Sequence, residues 1–269
     1  MTITGKTRLY AILGDPLGHA RSPEGINAIF AERGLDAVLV PAEVDAAGFD
    51  AAVAGFKSLR NCAGLILTMP HKQAMCRHVE VLRDNGRLVG AINAARRLAD
   101  GRWEGDMFDG QGYLGALRMH GIDPTGKRVH MIGAGGVARA MVMALAGAGI
   151  ASVTLRDLDP QRAVQLVQAA KAAYPRLSAE AVAEDRYDCD ILANATPLGM
   201  RPNDALPCDA ERIARHIIVT DVIPTPEITP LLAAARLRGC RIVTGRDMFQ
   251  AQVGMVAEFL AAGRSRVPE

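Results

Sequence analysis

A glycine-rich turn at residues 133–138 is the clearest sign of chemistry in the sequence. The run Gly133-Ala134-Gly135-Gly136-Val137-Ala138 has the pattern G-x-G-x-x-A and stands between a strand-like segment, 129–132, and a helix-like segment, 138–148. The glycines allow a tight turn and a close approach to a pyrophosphate, and the start of the helix offers it N–H groups. Strand, turn and helix together predict a dinucleotide site, with a merely structural loop as the alternative.

An acidic residue follows at the distance that such a site requires. Asp157 stands directly after a second strand-like run, 152–156. A carboxylate at this place binds the ribose hydroxyls of an adenosine. The acid therefore supports the dinucleotide interpretation of the turn.

Lys72 and Asp109 are candidates for moving a proton to or from a substrate hydroxyl. Lys72 follows a strand-like run that Pro70 ends, near the expected start of a helix, and Asp109 lies among glycines in what we expect to be a close-packed turn. An ammonium held by a carboxylate, with its pKa tuned by burial, can relay a proton. A solvated lysine and a turn-forming aspartate, Asp106 or Asp109, are the alternatives.

Three further polar residues could bind a hydroxylated ligand. Asn93 can donate and accept, or could bind its own backbone in a loop. Ser22 precedes Pro23 and could be only the N-cap of a helix. Gln252 lies on the last predicted helix and could simply be exposed.

The composition excludes several functional classes. The 269 residues are 49% apolar, enough for one large domain or two modest ones. No apolar stretch approaches the about 20 residues that span a bilayer, and Met1–Arg8 lacks the core of a signal peptide. The net charge is +2 and aromatic residues make up 4%, so we expect neither a nucleic acid nor a membrane as partner.

The cysteines and histidines are dispersed. The five cysteines, at 62, 76, 189, 208 and 240, are odd in number and have no C-x-x-C spacing. This pattern is typical of buried or idle thiols in a reducing cytoplasm, not of a disulfide framework or a zinc site. We therefore expect a cytoplasmic protein without a metal.

Strand-like and helix-like runs alternate, which predicts an α/β protein with largely parallel sheets. In the first half we expect strands at 8–13, 37–40 and 64–68, helices at 23–32, 46–56 and from about 70, and hairpin-like pieces around 94–103. In the second half we expect strands at 129–132, 152–156, 190–194, 217–221 and 240–243, and a last helix at 249–262.

The chain is long enough before the glycine turn to hold a separate domain. We expect a substrate-binding and catalytic domain at 1–112, a nucleotide-binding domain at 113–245, and a C-terminal helix, 246–269, that packs back on the first domain. A short hinge between two α/β lobes makes a cleft, where ligand sites commonly lie.

The ordered motifs resemble those of the shikimate dehydrogenase family over nearly the whole chain. The matching segments are 10–16, 19–23, 68–72, 90–93, 109–112, 133–138, 194–200 and 226–232, followed by Gly245, Met248 and Gln252. The resemblance implies a two-lobed α/β fold with an N-terminal substrate domain, a Rossmann-type nucleotide-binding domain and a last helix that returns to the first lobe. It also implies shikimate or quinate metabolism, within aromatic amino acid biosynthesis, and a monomer or homodimer.

The resemblance further implies an activity and the residues that carry it. The activity is the reversible oxidation of a ring hydroxyl of shikimate, or of a similar cyclic hydroxy acid, with Lys72 as proton acceptor and Asp109 as its partner. The implied substrate-binding residues are Ser22, Thr68, Asn93 and Gln252. The implied cofactor-binding residues are Gly133, Ala134, Gly135, Gly136, Val137, Asp157, Asn194, Thr196, Val222 and Gly245.

Several polar positions of the family pattern are apolar in this chain. Ala20 replaces the first serine of a Ser-x-Ser pair that grips the substrate carboxylate, and Arg21 is a candidate replacement for it. The other departures are Ile66, Ala94, Met107, Phe108 and Pro224. We therefore expect a relative of shikimate with fewer hydroxyls or another ring substituent. A low-turnover regulatory module that binds ligand or NAD is the alternative, against which the retention of Lys72 and Asp109 argues.

The residues after the second nucleotide-lobe strand predict NAD rather than NADP. Family members that use NADP commonly carry Asn-Arg-Thr there, whereas this chain has Asp157-Leu158-Asp159. Two carboxylates repel a 2′-phosphate, and an aspartate suits a free ribose diol. Arg156 and Arg162 could still reach a phosphate, and Asp159 could merely cap the next helix.

Overall fold

The computed structural model describes residues 2–18 and 20–262, and the chain divides into two compact units. The first unit comprises Met1–Phe108 and Val253–Glu269, and the second comprises Asp109–Gln252. The boundaries predicted from the sequence, after 112 and after 245, stay a prediction. His19 of the first motif and residues 263–269 of the predicted C-terminal helix lie outside the described residues.

The first unit is built on a mixed six-stranded sheet in the order β2-β1-β3-β5-β6-β4. Its strands are β1 (Arg8–Gly14), β2 (Ala37–Glu43), β3 (Cys62–Leu67), β4 (Val81–Leu82), β5 (Ala94–Arg97) and β6 (Trp103–Asp106). Its helices are α1 (Ser22–Glu32), α2 (Phe49–Ser58) and α3 (Asp84–Val89). Strand β1 pairs in parallel with β2 and β3, whereas β5 is antiparallel to β3 and β6, as the predicted hairpin requires.

The second unit holds a fully parallel six-stranded sheet in the order β12-β11-β10-β7-β8-β9. Its strands are β7 (Arg128–Ile132), β8 (Ser152–Arg156), β9 (Ser178–Ala181), β10 (Ile191–Asn194), β11 (Ile218–Asp221) and β12 (Ile242–Val243). Its helices are α4 (Asp109–Met119), α5 (Gly136–Gly147), α6 (Pro160–Ala173), α7 (Pro230–Leu237) and the start of α8 (Gly245–Ala262). The predicted α/β class with two sheet domains is confirmed.

The core of the first unit lies on both faces of its sheet. Alternate side chains of a strand point to opposite faces, so Tyr10 and Ile12 of β1 pack in one cluster and Ala11 and Leu13 in another. The first cluster includes α1 and the last residues of α8, and the second includes α2. Because both faces are covered, β1 is a continuous apolar run and not an alternating one.

In the second sheet the chain changes direction between two neighbouring strands. From β7 it runs to β8 and β9 on one side, and then returns to place β10 on the other side of β7. Ligands of open parallel sheets bind outside the carboxyl ends of the strands at such a switch point. The residues that follow β7 and β10 are therefore the first place to look for a site.

Three local predictions were wrong. The residues after Pro70 form turns and then a short 3₁₀ helix, Ala74–His78, in which the bond from Cys76 N–H to Gln73 O spans three residues. Asp109 begins helix α4 and does not lie in a turn. Ser22 is the first residue of α1, and Arg21 occupies the cap position without a side-chain cap bond, so Ser22 is not the N-cap.

The thiols, all of them in the described part of the chain, are free. Burial raises the pKa of Cys62 to about 11 and the pKa values of Cys189 and Cys208 to about 12. Within residues 2–18 and 20–262, no helix is long and apolar enough to cross a membrane. In the same ranges, no group of three or more His, Cys, Asp or Glu side chains is placed to hold a metal ion.

Helix α4 packs against α5 through Gly110, and this contact can be tested. A Cβ at Gly110 would overlap the carbonyl oxygen of Ala140 and lie 2.8 Å from the Ala144 Cβ. We expect Gly110→Ala to lower the free energy of unfolding by about 2–3 kcal/mol, because overpacking forces the helices apart. Calorimetry measures this as a fall in Tm.

The matched control is Gly55→Ala on α2. A Cβ at Gly55 meets no atom within 4 Å, so alanine there should be neutral or stabilising by about 0.5–1 kcal/mol through its better helix propensity. Equal Tm values for Gly110→Ala and the wild type would contradict the close crossing of α4 and α5.

Candidate functional site

The glycine turn of the second unit begins at a residue that must be glycine. Gly133 follows β7 with φ +100°, which is in the left-handed region. A Cβ there would lie 2.9 Å from Thr196 Cγ2 and 3.0 Å from the carbonyl carbon of Ala195. The turn after β7 is thus in direct contact with the segment after β10.

The next glycines leave open backbone at the start of a helix. Gly135 is the N-cap of the 12-residue helix α5 and Gly136 is its first residue, and a Cβ at either would meet no atom within 4 Å. The unsatisfied N–H groups and the dipole of a helix N-terminus favour an anion. This room and these donors fit the pyrophosphate of a dinucleotide.

Asp157 lies at the same turn. Its Oδ2 accepts a hydrogen bond of 2.7 Å from the backbone N–H of Ala134, and its Oδ1 accepts one of 2.9 Å from Asp159 N–H. Leu158 between the two acids is 88% exposed. Asp159 accepts a bond of 3.0 Å from Gln161 N–H at the start of α6, so the interpretation of Asp159 as a helix cap is confirmed.

Of the two arginines near this loop, Arg156 binds elsewhere in the protein and Arg162 pairs with an acid of the loop itself. Arg156 donates from Nε to Asp185 Oδ1 (2.6 Å) and from a terminal nitrogen to the carbonyl of Pro207 (2.7 Å). Burial raises the pKa of Asp185, but hydrogen bonds from His130 and Arg156 outweigh it and hold that pKa below its ordinary value. Arg162 lies 3.6 Å from Asp159. Neither guanidinium is directed at the glycine turn by these contacts.

Asn194, the last residue of β10, is completely buried and its amide is fully used. Its Oδ1 accepts from the backbone N–H and the hydroxyl of Thr196, at 3.0 and 2.7 Å. Its Nδ2 donates to the carbonyl of Leu198 and to Asp221 Oδ2, both at 3.1 Å. Two acceptor sites and two donors are the whole capacity of an amide. The side chain of Asn194 therefore shapes the loop that follows it.

Asp221 was missed by the sequence analysis. It ends β11 opposite Asn194 in the sheet, is buried, and accepts from Thr229 Oγ1 (2.8 Å) and Ile223 N–H (3.1 Å). Burial raises the pKa of its carboxyl to about 6, against the lowering effect of the bonds from Asn194 and Thr229. The signal in the sequence was an acid directly after an apolar strand, next to a strand that also ends in a polar residue.

The remaining predicted cofactor residues lie at the same edge of the sheet. Gly245 opens α8, and a Cβ there would overlap the carbonyl group of Ile223 and lie 2.5 Å from the carbonyl carbon of Val222. Val137 lies in the first turn of α5. The cofactor residues predicted from the sequence thus gather at the carboxyl ends of β7, β8, β10 and β11.

In the first unit, three predicted residues share one edge of the sheet. Thr68 follows β3, and its backbone N–H donates to Leu13 O of β1 (3.0 Å). The carbonyl of Asn93, just before β5, accepts from Leu67 N–H at 2.9 Å, and the carbonyl of Lys72 accepts from Ile92 N–H at 2.9 Å. These bonds bring the backbones of Thr68, Lys72 and Asn93 together beyond the end of β3.

The side chain of Asn93 binds a distant backbone group. Its Oδ1 accepts from Phe108 N–H at 3.0 Å, so Asn93 holds the segment that leads to Asp109. Ser22, the fourth predicted substrate residue, is partly exposed at the start of α1.

Asp109 and Gln252 meet in the second unit. Gln252 Nε2 donates to Asp109 Oδ1 at 3.0 Å, and Asp109 is buried. Gly112 allows this approach, because a Cβ there would lie 2.8 Å from the Gln252 Cβ. The alternative of a simply exposed Gln252 is wrong. Lys72 belongs to the first unit and Asp109 to the second, and their pairing stays a prediction.

Four of the six apolar departures from the family pattern are buried, and Ala20 and Pro224 are half-buried. Ile66 and Phe108 belong to the cluster of the first unit that contains Tyr10 and Ile12, and Ala20 packs against it. Arg21, the candidate replacement for the missing serine, donates from Nε to Glu24 at 3.0 Å on the surface. Hydrophobic packing thus takes the place of polar side chains at these positions.

Comparisons with known proteins agree with this arrangement. The family model described as the shikimate dehydrogenase substrate binding domain matches residues 12–95. A shikimate dehydrogenase (NADP(+)) of Rubrobacter xylanophilus is 37% identical over 250 residues, which cover 91% of this chain and 88% of that protein.

Two solved structures are similar over almost the whole chain. Ligand-free 5-ketofructose reductase of Gluconobacter sp. strain CHM43 has a TM-score of 0.86 at 31% identity, covering 97% of this chain and 95% of its own. Shikimate 5-dehydrogenase of Listeria monocytogenes, in complex with shikimate and NAD, has a TM-score of 0.88 at 29% identity, covering 97% and 94%.

Proposed function

Because the chain belongs to the shikimate dehydrogenase family, we propose that it is a nicotinamide-dependent oxidoreductase acting on a ring hydroxyl of shikimate or of a similar cyclic hydroxy acid. The observation that carries the proposal is the open helix N-terminus at Gly135 and Gly136, with Asp157 bound to the same turn. A regulatory module would need such a site as well. It would not need both Lys72 and Asp109, which this chain retains.

The proposed chemistry is the removal of a hydride and a proton from one alcohol. A nicotinamide cofactor held at the glycine turn would supply the acceptor for the hydride. Lys72 accepts the proton of the hydroxyl as the ketone forms, and returns it in the reverse direction. Asp109, held by Gln252, keeps the ammonium in place. Thr68 and Asn93 bind the other hydroxyls of the ring, and Ser22, the remaining serine of the Ser-x-Ser pair, binds the carboxylate.

The proposed substrate carries fewer polar groups than shikimate or has another ring substituent. Ala20 and Ile66 are packed in an apolar cluster, and Arg21 is bound to Glu24. Loss of one hydrogen bond to a charged group costs about 1.5–3 kcal/mol, a large part of the affinity for a carboxylate. The similar protein from Gluconobacter is named for 5-ketofructose, and the one from Listeria is bound to shikimate. Both compounds belong in a substrate panel.

The proposed cofactor is NAD, although the relative from Rubrobacter is named for NADP. We expect a 2′-phosphate to lie beside Asp157 and Asp159, and Leu158 between them offers no charge. Arg156 is held by Asp185 and Pro207, so it does not compensate these acids. Arg162 lies 3.6 Å from Asp159, which leaves Asp157 as the acid that discriminates between the cofactors. A dianionic phosphate between two carboxylates is repelled, while a ribose diol can donate to one of them.

Substitution of the lysine tests the proposed reaction. With shikimate, quinate, amino-substituted analogues and 5-ketofructose as the panel, the wild type should turn over at least one compound. Lys72→Ala should then lower kcat about 10³-fold while leaving the Kd for NADH unchanged, since the lysine acts mainly in the transition state. Lys6→Ala, on the surface of the same unit, is the control. Undiminished kcat in Lys72→Ala would refute its role, and a wild type that binds NADH without turnover would favour the regulatory alternative.

Paired glycine variants test whether the turn at residues 133–136 binds the phosphates of the dinucleotide. Gly135→Ala should fold with an unchanged Tm, because its Cβ meets nothing in the protein, yet bind NADH about tenfold more weakly, because the methyl occupies the space for the phosphates. Gly133→Ala should instead lose stability, since its Cβ contacts Ala195 and Thr196 at φ +100°. Fluorescence titration and thermal unfolding separate the two outcomes. Normal NADH affinity in Gly135→Ala would place the phosphates elsewhere.

Steady-state kinetics with both cofactors test the preference. We expect kcat/KM to be at least about tenfold higher with NAD than with NADP, a difference of about 1.4 kcal/mol in transition-state stabilisation. Asp157→Asn should lower the ratio of kcat/KM with NAD to kcat/KM with NADP, because one of the charges that repel the 2′-phosphate is removed. Equal use of both cofactors by the wild type, or a preference for NADP, would show that the acids do not discriminate.

A further inference from the structure

We propose that Asp221 is a positioning residue for the dinucleotide site, and that its carboxylate orients the Asn194 amide and thereby places residues 195–199 against the glycine turn. The inference rests on the proposed dinucleotide function of the second unit. Asp221 is given no chemical step, since it acts through Asn194.

The groups around the Asn194 amide fix its orientation. An ionised carboxylate only accepts hydrogen bonds, so the group of Asn194 that faces Asp221 Oδ2 at 3.1 Å must be the NH₂. The amide oxygen is then turned to Thr196, where it accepts from both the backbone N–H and the hydroxyl. With the amide reversed, two donors would face an NH₂ and an oxygen would face a carboxylate. Asp221 therefore fixes which way Asn194 points, together with the Leu198 carbonyl, which accepts from the same NH₂ at 3.1 Å.

The loop at residues 195–199 connects the Asn194 amide to the glycine turn. Thr196 Oγ1 also accepts from Leu198 N–H at 3.2 Å, and Asn194 Nδ2 donates to Leu198 O, which closes the loop on itself. A Cβ on Gly133 would lie 2.9 Å from Thr196 Cγ2 and 3.0 Å from the Ala195 carbonyl group. The loop after Asn194 is therefore in contact with the glycine turn. A displacement of this loop therefore displaces Gly133, the first residue of the glycine turn that we propose binds the phosphates.

Asp221 is itself held by hydrogen bonds from Thr229 and Ile223. Thr229, a buried residue that caps α7 by accepting from Leu232 N–H, donates its hydroxyl to Asp221 Oδ2 at 2.8 Å. Ile223 N–H donates to Oδ1 at 3.1 Å, and Ile223 is the residue against which Gly245 packs. One carboxylate thus joins the ends of β10 and β11 to the start of α7, and through Ile223 it supports the start of α8.

Asp221→Asn is the direct test. An amide has one NH₂ where the carboxylate has a second oxygen, so at least one of the three donors from Asn194, Thr229 and Ile223 would face another donor. We expect the Kd for NADH, measured by fluorescence titration well below Tm, to rise about tenfold. In turnover, the KM for the dinucleotide should rise by a similar factor, while kcat at saturating dinucleotide falls less than about threefold.

A matched control and a milder pair of variants accompany it. Asp190→Asn makes the same change at the opposite, amino-terminal end of β10, where Asp190 accepts from Arg128 N–H at 2.7 Å, and it should keep the wild-type Kd. Thr229→Val removes one donor to Asp221 and should also raise the Kd, whereas Thr229→Ser keeps the hydroxyl and should not. This pair decides the matter if Asp221→Asn does not fold.

Two results would overturn the proposal while leaving the proposed function intact. They are wild-type NADH affinity in both Asp221→Asn and Thr229→Val, and an equal loss of affinity in Asp221→Asn and Asp190→Asn. If the wild type itself binds neither NADH nor NADPH, the dinucleotide function fails first, and the positioning role fails with it.

Discussion

The candidate dinucleotide site depends on one constraint, the reversal of the chain between β7 and β10. Because the two strands are neighbours but their connections leave in opposite directions, their carboxyl ends open a space that no crossover covers. The sequence must then line this space with backbone that leaves room. Gly135 and Gly136 do so at the start of α5, and Gly133 allows the loop after β10 to approach the turn. The site thus needs close packing of the backbone at Gly133 and unoccupied space at Gly135.

The first unit is subject to a different constraint. Its sheet is covered by apolar clusters on both faces and must still carry polar residues at one edge. The strands meet this by alternation, with Tyr10 and Ile12 on one face and Ala11 and Leu13 on the other. The polar residues come only after the strands end, at Thr68 and in the turn that contains Lys72. Ile66 and Phe108 belong to the apolar cluster of Tyr10 and Ile12, and Ala20 packs against it. Their hydrophobic side chains stand where the family pattern has groups that can bind a ligand.

Much of this could be predicted from the sequence, because the determining signals are local. The G-x-G-x-x-A turn, the alternation of strands and helices, and the acid after β8 are patterns of adjacent residues. The family resemblance and the fold class are accordingly confirmed. The boundaries of β1, β8 and α1 differ from the predictions by a residue or less at each end.

The features that the sequence analysis missed are those that depend on distant partners. The turns around Lys72 resemble a helix start in sequence, yet their bonds close after three residues and a 3₁₀ helix follows. Strand β4 has only two residues and is held by its pairing with β6. Asp221 could not be assigned, since its importance comes from Asn194 and Thr229, which stand 27 and 8 positions away in the chain.

The same hydrogen bonds divide the polar residues of the second unit into two kinds. Asn194 and Asp221 are buried and use their donors and acceptors within the protein, so a ligand gains no bond from them. The groups turned toward open space are the N–H groups at the start of α5, the exposed side chains of Leu158 and Asp159, and the half-buried carboxylate of Asp157. Affinity for the phosphates that all such dinucleotides share would then reside in the backbone, which the buried residues hold in place. Discrimination between NAD and NADP would reside in the exposed loop after β8, which can change its side chains without disturbing the sheet.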